Sequence, residues 1–520
     1  GIVSAPPDII FIVLDTHRAD RLGCYGYQRP TSPNLDQFAA QAVLFEQAIS
    51  PAQWTIPSHA SFFTGLYPTA HQVTQSSHSL GTDTPHLVEL VHASGYETVA
   101  FCNNPLVGIL DNGFQRGFEA FYNYGGAVPH RPQVSDSLAD RAMRRLRRLA
   151  APIQNYFGRS DFAFSLALYA WLTPIWSRWA NFKGQNEQSV QDVVRFLQAR
   201  EQRETRPLFL FLNLMETHLP YAPPQQFVDS LAPIMKREPA APQTMHRWNR
   251  EAYRWAAPVP GGLPPLDAAV LSAMYDAEVA YQDDYLQALW AALAERQNRT
   301  NTLTIVVGDH GDGLGEHGFF GHAFTAYQEL VHVPLLLHWP GVLPAGKRVP
   351  TAVSTRRLFH TVLDATDRLP LTTPLQKSDI QPLSLLEVIH GRDVENGTAV
   401  AEIYPPLNFV HAIERRQPEL IPQFHCRDMR HAVVQNNHKL IVRSETPAEL
   451  FDLAQDALEL DNLLDLPHTA VCQTTLQNAL QQHQTHVHAQ RDQHRAGAPL
   501  GDLSHNPQLR ERLRGLGYLD

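Results

Sequence analysis

Cysteine is scarce in this 520-residue sequence, which contains only Cys24, Cys102, Cys426 and Cys472. The four are scattered, and none forms a Cys-x-x-Cys pair. Zinc knuckles are built from closely spaced cysteine pairs, and disulfide-rich scaffolds from many cysteines in a short chain. The sequence therefore argues against both kinds of protein.

An excess of positive charge is also absent. The formal net charge is −10, and charged residues make up 18% of the chain. A protein that holds nucleic acid through bulk electrostatics needs the opposite balance, so we expect no nucleic-acid partner. The hydrophobic fraction of 43% is typical of a globular protein.

Long hydrophobic runs are missing as well. The apolar and aromatic segment Phe162–Trp176 contains Pro174 and is shorter than the roughly 20 residues that a membrane-spanning helix needs. The segment Gly1–Pro7 has no apolar signal-peptide core. Gly1 is not an initiator methionine, so a leader could have been removed, and we expect a cytoplasmic location only slightly ahead of a periplasmic one.

Short apolar runs, by contrast, recur along the chain and predict strands that are buried on both faces. They lie at Ile9–Leu14, Thr98–Phe101, Leu208–Leu214, Leu303–Val307 and Val333–Leu337. Helical patterns separate them at Asn34–Ala42, Pro85–Ala93, Glu187–Ala199 and Ala268–Arg296. This alternation predicts an α/β fold with a large, mixed but mostly parallel sheet sandwiched between helices.

The length predicts one large domain and a smaller one. We expect an α/β domain over residues 1–350 with a helical insertion near residues 130–181. A smaller α+β subdomain is expected over residues 351–520, where Ala432–Val442 and Glu449–Leu453 predict short strands and a helix is expected near Leu509–Leu516.

The insertion combines a basic helix at Arg141–Ala150 with the apolar segment Phe162–Trp176. Two interpretations stay open. The insertion can pack on the core as an ordinary helical addition, or residues 141–176 can contact a membrane surface or a lipid-like substrate.

Acidic residues and a histidine stand at the ends of two predicted strands. Asp15 follows the first apolar run, and Asp309-His310 follows another. Ligands of α/β sheets bind at the carboxyl ends of strands. Two carboxylates and an imidazole suit a divalent metal ion. Without an ion, two neighbouring buried acids would repel each other, so the ion explains them better.

A third motif lies between them in the sequence. Thr55 lies in the segment Trp54–Ser61, whose helix is expected to begin near Pro57. The N-terminus of a helix offers N–H groups and partial positive charge to an anion. Thr55 is therefore either a helix cap or a reactive hydroxyl beside the metal site.

Several blocks of this sequence resemble the sulfatase family of the alkaline phosphatase superfamily, and they keep the family's order over most of the chain. They are Asp15–His71, which includes DTHRADRLGCYGYQRPTSPNLD; FLFLNLMETHLPYAPP at Phe209–Pro224; VVGDHGDGLGEHGFFGH at Val306–His322; VHVPLLLHWPG at Val331–Gly341; and His438–Leu464, which resembles the family's C-terminal strand and loop.

The resemblance breaks at the position of the nucleophile. The sulfatase signature opens with Cys or Ser, which is oxidised to formylglycine, and continues x-Pro-x-Arg. Here Thr55 stands at the first position, and His59 stands at the place of the arginine. The methyl group on its Cβ prevents Thr55 from becoming that aldehyde. Superfamily members that use Thr in this way transfer phosphoryl groups.

The resemblance also implies a metal site. Asp15, Thr55, Asp309 and His310 are the expected ligands of one divalent ion. Thr16 replaces the second Asp of many sulfatases, and His310 replaces a common Asn. Because fewer carboxylates and one imidazole shift metal preference, we favour Mn²⁺ or Zn²⁺, with Ca²⁺ still open.

By the same resemblance, the catalytic residues are Thr55, His218 and His322, while Arg18 and His59 are expected to bind the substrate. The predicted activity is metal-dependent hydrolysis of phosphate mono- or diesters, small anionic substrates, through a phospho-threonine intermediate. Three alternatives stay open. They are phosphoryl transfer to an alcohol or lipid-like acceptor, sulfate-ester or sulfamate chemistry without formylglycine, and a non-catalytic binding protein. The physiological substrate and the oligomeric state are not predicted.

Overall fold

The computed structural model describes residues 5–132, 137–179, 182–202 and 206–494. The helix expected near Leu509–Leu516 lies outside them. Strands of the described part are β1 Asp8–Leu14, β2 Val43–Ile49, β3 Glu97–Cys102, β4 Ala120–Asn123, β5 Leu208–Leu214, β6 Thr302–Gly308, β7 Gly313–Leu314, β8 Phe320–Gly321, β9 His332–Val333, β10 Leu335–His338, β11 Arg348–Ser354, β12 Thr398–Ile403, β13 Arg430–Gln435, β14 His438–Arg443 and β15 Thr446–Asp452.

Its α-helices are α1 Pro33–Ala39, α2 Thr55–Thr64, α3 Pro68–His71, α4 Leu87–Ala93, α5 Pro105–Gly108, α6 Leu138–Arg159, α7 Asp161–Ala167, α8 Thr173–Trp179, α9 Asn186–Arg200, α10 Gln225–Leu231, α11 Ile234–Arg237, α12 Ala241–Arg250, α13 Pro265–Glu295, α14 Gln328–Val331, α15 Leu358–Thr366, α16 Lys377–Ile380, α17 Leu385–Ile389, α18 Leu407–Arg416, α19 Leu420–Gln423 and α20 Ala470–Gln493.

A large sheet runs through the molecule in the order β11-β2-β10-β6-β1-β5-β3-β4, with β9 paired to β2. Strand β1 pairs in parallel with both β5 and β6, and β3 pairs in parallel with β5 and β4. Strand β10 is antiparallel to β2 and β6. The predicted fold class, a mixed and mostly parallel sheet between helices, is confirmed.

Both faces of the central strand β1 are covered. Phe11 packs against Phe62 of α2 with ring centroids 5.6 Å apart. The next residue, Ile12, belongs to the core on the opposite face, together with Leu286 of α13. Because successive side chains of a strand point to opposite faces, a strand buried on both sides must be apolar throughout. This requirement explains the uninterrupted apolar run at Ile9–Leu14.

A second sheet, β12-β13-β14-β15, is antiparallel and carries α20 on one face. Leu440 of this sheet and Leu476 and Leu480 of α20 form its own core. Strand β11 belongs to the large sheet but runs across residue 350, where the sequence predicted the domain boundary. The boundary stays a prediction.

The region expected as a helical insertion contains α6, α7 and α8. The apolar segment Phe162–Trp176 is broken between α7 and α8, where the Trp176 Nε1–H donates to the Ala167 carbonyl oxygen at 2.6 Å. Among the described residues, no helix is long and apolar enough to cross a membrane.

Candidate functional site

The register of the large sheet brings two distant acids together. Leu14 at the end of β1 is paired with Gly308 at the end of β6. Asp15 and Asp309 are the residues that follow, and both are fully buried. Parallel strands end at the same edge of a sheet, so the two carboxylates lie side by side at the edge where α/β proteins bind ligands.

His310 completes this cluster. One ligand atom from each of Asp15, Asp309 and His310 lies within 4.8 Å of the others. The His310 Nε2 is 3.8 Å from Asp15 Oδ1 and 3.4 Å from Asp309 Oδ2. Its Nδ1 is 2.7 Å from the carbonyl oxygen of Gly311 and donates to it. The unprotonated Nε2 therefore faces the two carboxylates with its lone pair.

One oxygen of Asp309 is unsatisfied. Oδ1 accepts hydrogen bonds from the backbone N–H groups of Thr16 at 3.0 Å and His310 at 2.7 Å. Oδ2 is buried without a hydrogen-bond partner among the described residues. Burial, and then the neighbouring Asp15, raise the pKa of Asp309 well above its usual value. An orphaned carboxylate oxygen beside an imidazole lone pair fits a divalent metal ion, which would ionise Asp309 and satisfy both atoms.

Asp15 accepts hydrogen bonds from amide groups that the sequence did not single out. Its Oδ2 accepts from Asn104 Nδ2 at 2.7 Å and from Asn213 Nδ2 at 3.1 Å. Burial opposes ionisation, but His310, His59 and the Asn104 hydrogen bond hold the pKa of Asp15 below its usual value. Both asparagines stand at strand ends, Asn213 inside β5 and Asn104 just after β3. An amide side chain at the end of an apolar strand was the sequence signal that could have identified both residues.

Thr16 links the two carboxylates and adopts a strained backbone. Its φ of 60° is rare for a β-branched residue. The Thr16 hydroxyl donates to Asp15 Oδ1 at 2.9 Å, while its N–H donates to Asp309. Its carbonyl oxygen accepts from the hydroxyls of Tyr275 at 2.9 Å and Thr217 at 2.8 Å. Such strain persists where the surroundings impose it, which is frequent at functional sites.

Thr55 lies at the cluster, as its predicted role requires. It is the first residue of α2 and is 3% exposed. Its Oγ1 is 3.2 Å from His310 Nε2 and 3.4 Å from Asn104 Nδ2. The hydroxyl therefore stands beside the predicted ligands Asp15, Asp309 and His310, at the positive end of a helix.

His218 and His322 lie together next to the cluster. Their ring centroids are 5.3 Å apart, and the His322 ring is 4.5 Å from that of His310. His322 Nδ1 donates to Asp312 Oδ1 at 2.9 Å. His218 Nδ1 donates to the Leu219 carbonyl oxygen at 2.6 Å, and burial together with His322 lowers the pKa of His218 to about 4.

The two residues expected to bind substrate have other partners. His59 is fully buried, with Nδ1 2.9 Å from the Thr55 carbonyl oxygen and Nε2 3.3 Å from Asn213 Nδ2. Arg18 forms ion pairs with Asp20 at 2.8 Å and Glu316 at 2.6 Å. Substrate binding by either residue stays a prediction. Burial in the helix places His59 beneath the site, and two carboxylates neutralise Arg18.

We predict that Asp309→Asn binds its divalent ion at least about 10-fold more weakly, since even outer partners of metal ligands change affinity by about 10–100-fold. The fold should survive, because the change is nearly isosteric and removes the repulsion between Asp309 and Asp15. Elemental analysis after dialysis against a competing chelator should find one ion per wild-type chain and almost none in the variant.

The exposed Asp229→Asn serves as the control, because it removes one negative charge far along the chain from the cluster residues. It should keep the wild-type metal content. An Asp309→Asn protein that retains one ion per chain with unchanged affinity would contradict the assignment.

Comparisons with known proteins agree with this geometry. The family model described as Sulfatase matches residues 7–368, and the model of the N-sulphoglucosamine sulphohydrolase C-terminal region matches residues 315–486. Similar curated proteins include an arylsulfatase of Clostridium perfringens, which is 23% identical over 88% of this chain and 90% of its own length. Human iduronate 2-sulfatase is 24% identical over 85% of this chain and 78% of its own length.

Among solved structures, the phosphonate monoester hydrolase of Agrobacterium radiobacter superposes with a TM-score of 0.61 at 19% identity, covering 95% of this chain and 97% of that one. A protein solved with its substrate D-glucosamine-2-N,6-O-disulfate gives a TM-score of 0.63 at 17% identity, covering 93% and 98%. These likenesses confirm the fold. With the family model matching residues 7–368, the chain belongs to the sulfatase family and is an ester-hydrolysing enzyme.

Proposed function

We propose that this enzyme hydrolyses phosphate mono- or diesters, with Thr55 as the nucleophile. The observation that carries the proposal is the place of the Thr55 hydroxyl, 3.2 Å from His310 Nε2 and beside Asp15 and Asp309. A threonine cannot be converted to the aldehyde on which formylglycine sulfatases depend. The covalent intermediate must instead be opened by a second attack at the same centre, which suits a phosphoryl group.

We expect Asp15, Asp309, His310 and the hydroxyl of Thr55 to hold one divalent ion, Mn²⁺ or Zn²⁺ in preference to Ca²⁺, because imidazole suits the first two. When bound, it would supply positive charge for the ester oxygens and lower the pKa of the Thr55 hydroxyl. The protein's own contribution is to keep that hydroxyl in position, through Asn104 and the first turn of α2.

In the first displacement, the Thr55 hydroxyl gives its proton to solvent as its oxygen bonds to phosphorus, and the bond from phosphorus to the ester oxygen breaks. Thr55 takes a proton back from solvent when phosphate is later released. We assign His322 the transfer of a proton to the leaving oxygen, because Asp312 fixes its ring through Nδ1. In the second displacement, water attacks phosphorus from the side that the alcohol has left, opposite the Thr55 oxygen. The water gives a proton to His322, and phosphate is released from Thr55. The neutral His218 borders this space and offers Nε2 as a hydrogen-bond acceptor.

Sulfate-ester hydrolysis is the second candidate, because the curated relatives named above are an arylsulfatase and iduronate 2-sulfatase. Against it stands the smaller negative charge of a sulfuryl group, which the same cationic site stabilises less. Transfer of the phosphoryl group to an alcohol differs from hydrolysis only in the second step, and added glycerol would reveal it as a glycerol phosphate product.

Thr55→Ala should lower kcat for phosphate esters by about 10³-fold or more, because the covalent route is lost. Wild type should prefer p-nitrophenyl phosphate over p-nitrophenyl sulfate by roughly 10-fold or more in kcat/KM. Thr55→Ser, which keeps the hydroxyl, is the matched control and should retain most of the activity. A preference for the sulfate ester by the same factor, with Thr55→Ala inactive, would make the second candidate correct.

His322→Ala and His218→Ala should each lower kcat by about 10²-fold or more, the usual size of a proton-transfer or electrostatic contribution. Asp312→Asn should shift the pH profile of kcat, because the orientation and basicity of His322 change with its partner. The exposed His246→Gln on α12 is the control and should match wild type. A wild-type profile for Asp312→Asn would contradict the assignment of His322.

A further inference from the structure

The candidate site opens into a cavity of about 560 Å³. His218, His322 and Trp54 are among the residues that line it. Its remaining walls come from α5, the insertion helices α6 to α8, the turn at Ala252–Trp255 and the start of α18. A volume of this size is typical of sites for whole small-molecule ligands.

The walls of the cavity are almost entirely apolar. Large side chains that line it include Phe157, Phe164, Trp176, Phe182, Trp255 and Phe409. The polar exceptions away from the catalytic histidines are few, and two are already engaged. Gln154 Oε1 accepts from the Ala127 N–H at 2.8 Å, and Asn408 Oδ1 accepts from the Phe409 N–H at 2.8 Å.

A sugar does not suit these walls. Its hydroxyl groups would lose their hydrogen bonds to water and find almost no partners in the wall, which disfavours binding. An alkyl or polycyclic group would instead gain from every methylene that leaves water. The chemistry of the wall therefore selects an apolar occupant.

The cavity is also open where such an occupant would enter. Ile153 and Phe157 of α6 line it while remaining 52% and 51% exposed. They mark a mouth between the insertion and solvent. An ester whose charged head lies at Thr55 would therefore extend its alcohol along the cavity towards α6.

We infer that this cavity receives the hydrophobic alcohol portion of the substrate, so that the preferred substrates are esters of a long-chain or polycyclic alcohol. The inference rests on the proposed function for the position of the charged ester group at Thr55. It rests on the cavity for the apolar character of the alcohol.

The first experiment measures kcat/KM for phosphate esters of ethanol, butanol, octanol and dodecanol below their micelle concentrations, with the matching sulfate esters in parallel. The rate should rise by up to about fourfold per added methylene until the cavity is filled. Phe157→Ser should lower the ratio of octyl to ethyl kcat/KM by about 10-fold. Leu149→Ser, on the same helix but outside the cavity lining, should leave this ratio unchanged.

The second experiment does not depend on turnover. Thr55→Ala protein is titrated with the fluorescent apolar probe N-phenyl-1-naphthylamine, and dodecanol is added as a competitor. We expect dodecanol to displace the probe, and we expect Phe157→Ser, but not Leu149→Ser, to weaken this displacement. This result would support the cavity even if no ester is hydrolysed. In that case only the proposed function would fail. Hydrolysis that is equally fast for ethyl and octyl esters, or a probe that dodecanol does not displace, overturns the inference.

The outer face of the insertion carries a separate observation. Leu146, Leu149, Ile153 and Phe157 follow one another at intervals of three and four residues along α6, so they share one face, and they are 49–70% exposed. Beyond α6, the insertion has further exposed apolar side chains: Phe162, Trp171 and Ile175. The other side of the helix carries Arg141, Arg144, Arg145, Arg147 and Arg148.

A helix with an apolar stripe on one side and arginines on the other is typical of helices that lie in the plane of a membrane interface. The local positive charge contrasts with the net charge of −10 of the whole chain. It therefore matches an anionic lipid surface by charge as well as by hydrophobicity. We propose that α6 to α8 dock on an anionic lipid surface, with the mouth of the cavity beside it.

Sedimentation with vesicles tests this proposal. Wild type should bind phosphatidylglycerol/phosphatidylcholine vesicles at low salt, bind pure phosphatidylcholine much less, and lose binding as salt rises. The double variant Leu149→Glu/Trp171→Glu should lose binding, while Leu371→Glu, at a fully exposed position elsewhere, should not. Vesicle binding by the double variant equal to that of wild type would overturn the proposal. So would a dimer in gel filtration that Leu149→Glu dissociates, because the face would then be a subunit contact.

Discussion

Two carboxylates, those of Asp15 and Asp309, lie next to each other at neighbouring strand ends and away from water, and their repulsion is the constraint on which the rest of the site depends. The described groups that donate hydrogen bonds to them are amide N–H groups and a hydroxyl, and the imidazole of His310 lies beside them. Asn104 and Asn213 donate to Asp15, and backbone N–H groups donate to one oxygen of Asp309. The other oxygen is left without a partner among the described residues, which is the place for a cation.

The same constraint explains the backbone around it. Thr16 keeps a positive φ, because only there can its hydroxyl reach Asp15 while its N–H reaches Asp309. Tyr275 of α13 and Thr217 after β5 hold its carbonyl oxygen from the other side. The strain is sustained by a strand that is buried on both faces and cannot shift, so the stability of the core maintains the geometry of the site.

The large sheet and the insertion have different roles in the proposed activity. The sheet edge supplies Thr55, the expected metal ligands and the two histidines. The insertion α6 to α8 supplies part of the cavity wall and the exposed apolar face. Chemistry is thus placed by the rigid part of the fold, and the choice of substrate is left to an addition on its surface.

Much of the fold and part of the site could be predicted from local patterns. Strands such as β1, β5 and β6 were found because each is a continuous apolar run. Strand β2 was not, since Glu46 and Gln47 interrupt the pattern where it is only half buried. Asp15, Asp309 and His310 were found at strand ends, whereas the amides of Asn104 and Asn213 looked like ordinary turn and strand residues.

The sequence by itself determined which chemical groups are available and where strands stop, because both depend on neighbouring residues. Only the tertiary structure decided which strand ends meet. The order β6-β1-β5-β3 joins segments that lie far apart in the chain, and this order brings Asp309 to Asp15 and Asn104 to both Asp15 and Thr55. It also placed His59 beneath the site and Arg18 between two carboxylates, since burial and long-range partners are properties of packing that no local pattern contains.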